Sequence, residues 1–595
     1  MNNNRKFTTL FIGVFCVLFF LVACQGSTPN SAQPLPLSQH LPQQKLPQQA
    51  AIASAHPLAT EAGMKILAQG GNAFDAAVAI AATLAVVEPY SSGLGGGGLW
   101  LLHRARDQQN ILLDARETAP AAATETLYLK KTDAQKIAVV DRDLATNGAL
   151  AAAIPGIPAA LHSLTQDYGQ LRLADNLSTA IELAEKGVVV DKLYSHWLSL
   201  RREVLQRYPA STHFVLNPGD TLKQPQLATT LHALATQGRD GFYQGAIANE
   251  LIQQVKAQGG IWTADDLRGY QVKYRQPIVG QYRDMRIISA PPPSSGGLLL
   301  VNMLNMLEPY DLQSLTPVAQ THLLTEIMRR AYQQRSLYLA DSDFIDIPYA
   351  KFTDKAAAKM QMQNFNPQQA SVSVPQGQSQ QGDHTTHFVV LDQQGNRVSA
   401  TLSINLAFGS ALTVAGVLLN NEMDDFDAAS HQANAYGLVG SGANRIQPGK
   451  RPLSSMSPTF IETPDGVGLL GTPGGSRIIS MVLLGILQAE QHRDPYRWVA
   501  RPRFHHQYLP DQIEHETNAL TDTQLQALRA MGHRLSTVQR PYGNMHAIFW
   551  HRTTGQVQAA SDPRGSGRAV VWKQPVRDNR YGTTIVDEQM SITAN

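Results

Sequence analysis

Between residues 57 and 87 apolar side chains recur at helical spacing in an alanine-rich background, and the pattern breaks once, at Gly70-Gly71-Asn72. That break predicts two helices separated by a glycine stop. Short apolar runs follow at residues 99–102 and 111–113, and they read as buried strands. From about 151 to 358 the pattern is mostly helical, with an apolar stripe in segments 227–237, 246–258 and 299–307. A glutamine-rich stretch from 364 to 384 has little to pack. It gives way abruptly to residues 385–392, a Gln-Gln-Gly-Asn turn and residues 397–405, which together predict a β-hairpin. No repeat of 20 to 50 residues interrupts this order.

At 595 residues the chain can bury a large, multilayered core. Lys and Arg total 49 against 47 Asp and Glu, a net charge of +2, and no basic stripe stands out. Nucleic acid is therefore not expected as a partner. The only cysteines, Cys16 and Cys24, precede the body, so neither a disulfide framework nor a cysteine metal cluster is available to it. The leader carries Arg5-Lys6 and an apolar run over residues 7–23, the layout of a secretory signal. Its end, Leu21-Val22-Ala23-Cys24, resembles a bacterial lipobox; an uncleaved membrane anchor is the other reading, since the run is near the lower length for spanning. The lipobox implies a signal peptide at 1–23, lipidation at Cys24 and an exported, periplasmic protein. Gln25 in place of aspartate implies tethering to the outer membrane. Residues 24–50, rich in Pro, Gln and Ser, read as a flexible tether, and the folded body is expected from about residue 51.

Several motifs have two readings. Residues 92–98 contain G-x-G-x-x-G, but the run follows a helical segment and precedes a strand-like one, which is the wrong context for a dinucleotide. The glycines instead permit close approach of backbone to backbone or to ligand. Gly474-Gly475 reads as a plain turn or as two amides at a helix start placed to stabilise an oxyanion. Arg116 reads as a surface arginine or as a carboxylate clamp. Eighteen histidines show no metal-ligand spacing, so no metal is expected, and no G-x-S-x-G nucleophile elbow occurs. Thr385 opens the hairpin directly after the glutamine-rich stretch. A threonine hydroxyl is a poor nucleophile without a base, and its own α-amine, with a pKa of about 7.7 to 8.0, serves if the chain is cut before it.

Ten ordered motifs carry a family resemblance: residues 55–63, 70–76, 92–98, 114–120, 291–297, 385–388, 420–426, 451–459, 473–477 and 561–564. In that order they resemble γ-glutamyltranspeptidase, also called glutathione hydrolase, from about residue 51 to 564, with the leader and the tail from about 565 outside it. The resemblance implies an α/β (α+β) fold, the four-layer αββα sandwich of the N-terminal-nucleophile hydrolases. It also implies a precursor that cuts itself between His384 and Thr385 into a large subunit, 51–384, and a small catalytic subunit, 385–595, which stay together as a heterodimer.

By the same resemblance Thr385 is the nucleophile, first on its own preceding carbonyl and then on a γ-glutamyl amide. Ser403 is the hydroxyl that bonds it, where many relatives have threonine. Gly474 and Gly475 supply the oxyanion amides. Arg116, with Ser454 and Ser455, holds the substrate α-carboxylate; Asn405, Glu422 and Asp425 take the α-amino end, and Tyr436 covers the pocket from a lid loop over 427–440. The implied substrates are glutathione and other γ-glutamyl compounds, with water, amino acids or dipeptides as acceptors and no cofactor. Two rival readings are an acylase of the same fold acting on a different donor, such as a cephalosporin side chain or polyglutamate, and an inactive surface lipoprotein.

Overall fold

Asn72 does more than end a helix. Its side chain accepts the N–H groups of Phe74 and Asp75, and Asp75 reaches back to the Asn72 N–H, so a full capping box starts the next helix. The two helices expected at 57–87 are α1 (Pro57–Ala68) and α2 (Ala73–Val87). Every residue of α2 is buried, which explains its lack of a polar face. The computed structural model describes residues 44–132, 135–374, 385–429 and 432–573. The leader with Cys24, and His384, lie outside these. Among the described residues no helix is long and apolar enough to cross a membrane.

Two large sheets organise the chain. Their strands, in chain order, are β1 (Ala50–Ser54), β2 (Gly97–Arg104), β3 (Gln109–Ala115), β4 (Lys273–Arg275), β5 (Ile278–Tyr282), β6 (Met285–Ser289), β7 (Thr386–Leu391), β8 (Arg397–Ser403), β9 (Thr459–Glu462), β10 (Gly466–Gly471), β11 (His546–His551), β12 (Val557–Ser561) and β13 (Arg568–Trp572). The first sheet runs β13-β1-β7-β8-β2-β3-β4 and the second β12-β11-β10-β9-β6-β5. The pairings within both are antiparallel.

Alternation along the strands builds the layers. Ile52, Trp100, Phe388, Val390, Val398 and Ala400 face α1, α2, α3 (Ile157–Tyr168) and α4 (Leu173–Lys186). Ala51, Ala53, Leu99, Leu101, Val389 and Leu391 face the second sheet, which is backed by α5 (Gly296–Leu307), α6 (Pro317–Tyr338) and α7 (Ile478–Gln491). The order is helices, sheet, sheet, helices: the αββα sandwich.

The predicted hairpin is β7–β8, with His387 opposite Thr401. The glycine run is used for backbone approach: a Cβ on Gly96 would lie 2.1 Å from the Ser403 carbonyl oxygen. Other expectations differ from the structure. The stretch read as mostly helical also holds β4, β5 and β6, strands of three to five residues whose polar outward positions blur their pattern. The folded unit starts before residue 51, because Lys45 and Gln48 donate their N–H groups to the carbonyls of Arg552 and Gly555 at 2.8 and 2.9 Å. The glutamine-rich stretch is tied down at its start: Ala370 N–H meets the Met531 carbonyl at 2.7 Å, and Ser373 N–H meets Asp511 at 2.8 Å. The region past 565 includes β13, an edge strand paired with β1.

Candidate active site

The register of β7 and β8 brings Thr385 opposite Ser403, and their hydroxyl oxygens lie 3.5 Å apart, at the long limit of a hydrogen bond. Parity turns both side chains to the face between the sheets, whereas Thr386 turns the other way and donates to Glu88 at 2.9 Å. Ser403 Oγ accepts the Asn405 N–H at 2.8 Å. Asn405 sits at φ +73, a left-handed conformation held by its amide bond to the Asn421 carbonyl at 2.8 Å. Asn420 ties the neighbourhood together: its side chain donates to the carbonyls of Gly95 and Ala153 and accepts the N–H of Glu422 at 2.9 Å. The glycine run and the turn bearing Glu422 and Asp425 are thereby fixed to each other.

Arg116 follows β3 and is buried, so the surface-arginine reading fails. Its Nε donates to the Pro452 carbonyl at 3.1 Å, and its two terminal nitrogens pair with Glu422 and Asp425. Glu117 adds a third carboxylate 3.7 Å away, and neither of its oxygens has a hydrogen-bond partner among the described residues. Burial works against the charged guanidinium, but Glu422, Asp425 and Glu117 outweigh it and hold Arg116 above its ordinary value. Burial is also the leading influence on the carboxyls: it raises Glu422 well above the usual range, raises Asp425, and pushes Glu117 up to about 7. The cluster has more acceptors than donors, so an added ammonium would be stabilised in it.

Ser454 and Ser455 lie beside Arg116 in the same pocket. The Ser454 carbonyl accepts both the N–H and the hydroxyl of Ser295 at 2.9 Å. Arg335, on α6, donates to Ser295 Oγ at 3.0 Å and reaches Ser455 Oγ at 3.5 Å. Sequence reasoning missed Arg335. The signal was present: Met328, Ala331, Tyr332 and Arg335 follow helical spacing and form the buried stripe of the last two turns of α6, where an arginine needs a reason to be.

After β10 the chain turns through Gly474 at φ +139 and Gly475 at φ +55 into a 3-10 turn, Gly475–Arg477, that leads into α7. The first N–H groups of such a turn have no partner within it. Tyr436 closes the other side. Its hydroxyl donates to the Asn405 carbonyl at 2.8 Å, and its own carbonyl accepts Gln507 at 3.1 Å.

Thr385, Ser403, Asn405, Arg116, Glu422, Asp425, Ser454, Ser455, Tyr436 and Gly475 therefore line a single pocket, with Gly474 adjoining Gly475. Its free volume is about 20 Å³, close to the room one water needs. Among the described residues, one trio, His322, Glu326 and His533, could hold a metal ion. Its carboxylate already serves Arg329 at 3.1 Å and Arg330 at 2.6 Å, so two guanidiniums stand where a cation would add charge.

The four layers, with a threonine at the start of an inner strand between them, have the architecture of the N-terminal-nucleophile hydrolases. The family model described as gamma-glutamyltranspeptidase matches residues 59–572, and the chain belongs to that family. The match extends past residue 565, where the sequence motifs stopped, because β13 is part of the central sheet. The glutathione hydrolase proenzyme of Pseudomonas sp. (strain A14) is 37% identical over 544 residues, covering 89% of this chain and 92% of its own. The acylase ACY 1 proenzyme of Pseudomonas sp. (strain SE83) is 34% identical over 533 residues, covering 87% and 93%. Among solved structures, cephalosporin acylase from Bacillus halodurans shares the fold, with a TM-score of 0.77 at 24% identity over 91% of this chain and 98% of its own.

Proposed function

We propose that the protein is a self-processing glutathione hydrolase and γ-glutamyl transferase that works through an ester on Thr385. The observation that carries this reading is the meeting of Thr385, Arg116, Glu422, Asp425, Ser454, Ser455 and Gly475 in one buried pocket. In processing, Thr385 Oγ attacks the carbonyl carbon of His384, the peptide C–N bond breaks as the amide nitrogen takes a proton, and water hydrolyses the resulting ester. The chain is then two fragments, one ending at residue 384 that keeps the tether and the large subunit, 51–384, and one of 385–595, held together by the shared sandwich.

In turnover the freed α-amine of Thr385 takes the Oγ proton as Oγ attacks the γ-carbonyl of the substrate. The oxyanion faces the amides of Gly474 and Gly475. The proton passes to the departing amine, and the γ-glutamyl ester is left on Thr385. Water releases glutamate; the amine of an amino acid or dipeptide takes the acyl group instead. Arg116, Ser454 and Ser455 hold the α-carboxylate, while Glu422, Asp425 and the Asn405 side chain accept from the α-ammonium. Ser403 positions the nucleophile. The leader supports export and acylation at Cys24, which would tether the enzyme to the outer membrane.

The acylase relative supports a second reading, in which the donor carries a different acyl group. The carboxylate-rich pocket and the Tyr436 cover favour the amino-bearing γ-glutamyl group. The purified protein is expected as two fragments with glutathione the better donor over glutaryl or polyglutamyl amides, while Thr385→Ala stays a single inactive chain. A preference for glutaryl donors would select the acylase reading, and an intact but fully active wild type would remove both.

A further inference from the structure

Arg397 opens β8 and has the same parity as Ser403, so its side chain also enters the space between the sheets, at the other end of the strand from Thr385. It is fully buried. Its Nη2 donates to Glu462, at the end of β9, at 3.2 Å, and its guanidinium stands 5.2 Å from the Phe460 ring centroid. Its Nε and Nη1 have no acceptor among the described residues. A guanidinium keeps its proton in a protein, so these remain buried, charged donors that call for an acceptor.

Arg397 lines a cavity of about 60 Å³, several times the room one water needs, together with Trp550 of β11 and Arg552 just after it. Trp550 Nε1 and Arg552 Nε are two further buried N–H groups without an acceptor among the described residues. The charges do not balance either. Arg286, Arg397 and Arg552 share the single carboxylate of Glu462, at 2.7, 3.2 and 3.6 Å, and only Arg286 reaches well into solvent. Burial, followed by Arg552 and Arg286, holds Arg397 down to about 10 against the pull of Glu462, which still leaves it charged at neutral pH. His103, on the same wall, is held down to about 4 by burial and then by Arg397, so it adds no charge. Lys45, exposed at the rim, adds one more cation.

Four buried donors without acceptors, around a cavity with surplus positive charge, set the chemistry of the occupant: small, negative and able to accept several hydrogen bonds. Water would satisfy the donors but not the charge. We propose that this cavity binds a small inorganic anion, halide or oxoanion, held between the two sheets by Arg397 and Arg552. The Lys45 N–H donates to the Arg552 carbonyl at 2.8 Å, so the bound anion also fastens the start of the folded unit to the second sheet. The proposal is independent of the acyl-Thr385 reading.

Thermal unfolding of the whole enzyme at fixed ionic strength tests it, with chloride, sulfate or phosphate replacing gluconate, which is too large for the cavity. Wild type is expected to gain a saturable rise in melting temperature on the order of 2 °C, and the anion that gives it at the lowest concentration tells halide from oxoanion. General salting-out by sulfate or phosphate does not saturate and is the same in every variant. Arg397→Met removes the buried charge; it is expected to melt at or above wild type in gluconate and to lose the saturable rise. Arg552→Gln, which keeps Arg397 and serves equally if Arg397→Met does not fold, is expected to raise the half-saturating concentration by about 10-fold. No saturable rise in wild type with any of the three anions, the same rise in Arg397→Met, or an unchanged half-saturation in Arg552→Gln overturns the proposal.

Discussion

The hydroxyl of Tyr436 donates to the main-chain oxygen of Asn405 at 2.8 Å, which fastens the covering loop to a residue two positions beyond Ser403. The loop has a second tie, from the Asn434 amide to Asp425 at 3.2 Å. Tyr436→Phe removes one neutral hydrogen bond, about 1 kcal/mol of closure. It is expected to raise kcat/KM for bulky acyl donors relative to glutathione by a few fold, and Tyr436→Ala more. An unchanged donor ratio in Tyr436→Ala would show that the loop does not govern donor size.

Arg116 serves two carboxylates and the Pro452 carbonyl from one planar group, which a lysine ammonium does not reproduce. Arg116→Lys is expected to lower kcat/KM by about 100-fold or more, roughly 3 kcal/mol, and to lower the melting temperature as well, because buried carboxylates lose their partner. Steady-state kinetics and thermal unfolding check the two effects separately. Near wild-type kinetics would place substrate recognition elsewhere.

Gly474 has φ +139, and a Cβ there would lie 2.5 Å from Met481 Cε. If the amides of Gly474 and Gly475 face the oxyanion as proposed, Gly474→Ala is expected to displace their turn and cost about 100-fold in kcat with little change in KM. Equal losses in both parameters would point to a binding defect.

How much of this was legible from the chain depends on range. The α1–α2 pair and the β7–β8 hairpin are local patterns, with their caps and turn inside the same few residues, and they were readable. The edge strand β13 was not, because its partner β1 lies some 500 residues earlier and nothing local marks the pairing. The pocket residues were found through family motifs and, for Ser403, Asn405 and Tyr436, through the wider resemblance; spacing alone left Arg116 open between a surface residue and a carboxylate clamp. Arg335 belongs to none of those motifs, and only its place in the buried stripe of α6 marks it.

Glu88 couples stability to pH. Burial raises its carboxyl from 4.5 to about 7, so the native protein keeps a proton that the unfolded chain gives up. Its contribution is fully present below about pH 4.5 and is lost as pH rises through about 7. Glu88→Gln carries no such proton, and wild type is expected to lose on the order of 3 kcal/mol relative to the variant across that interval. Denaturant unfolding at pH 4.5, 6 and 8 measures this, and parallel pH profiles for the two proteins would contradict it.

The central claim is that Thr385 acts through its own free α-amine. Amino-terminal sequencing with intact mass analysis of the fully active enzyme tests it most directly. The expected result is a small fragment beginning at Thr385, with activity rising in step with its appearance. Full activity from protein in which residue 385 is still joined to residue 384 would contradict the account.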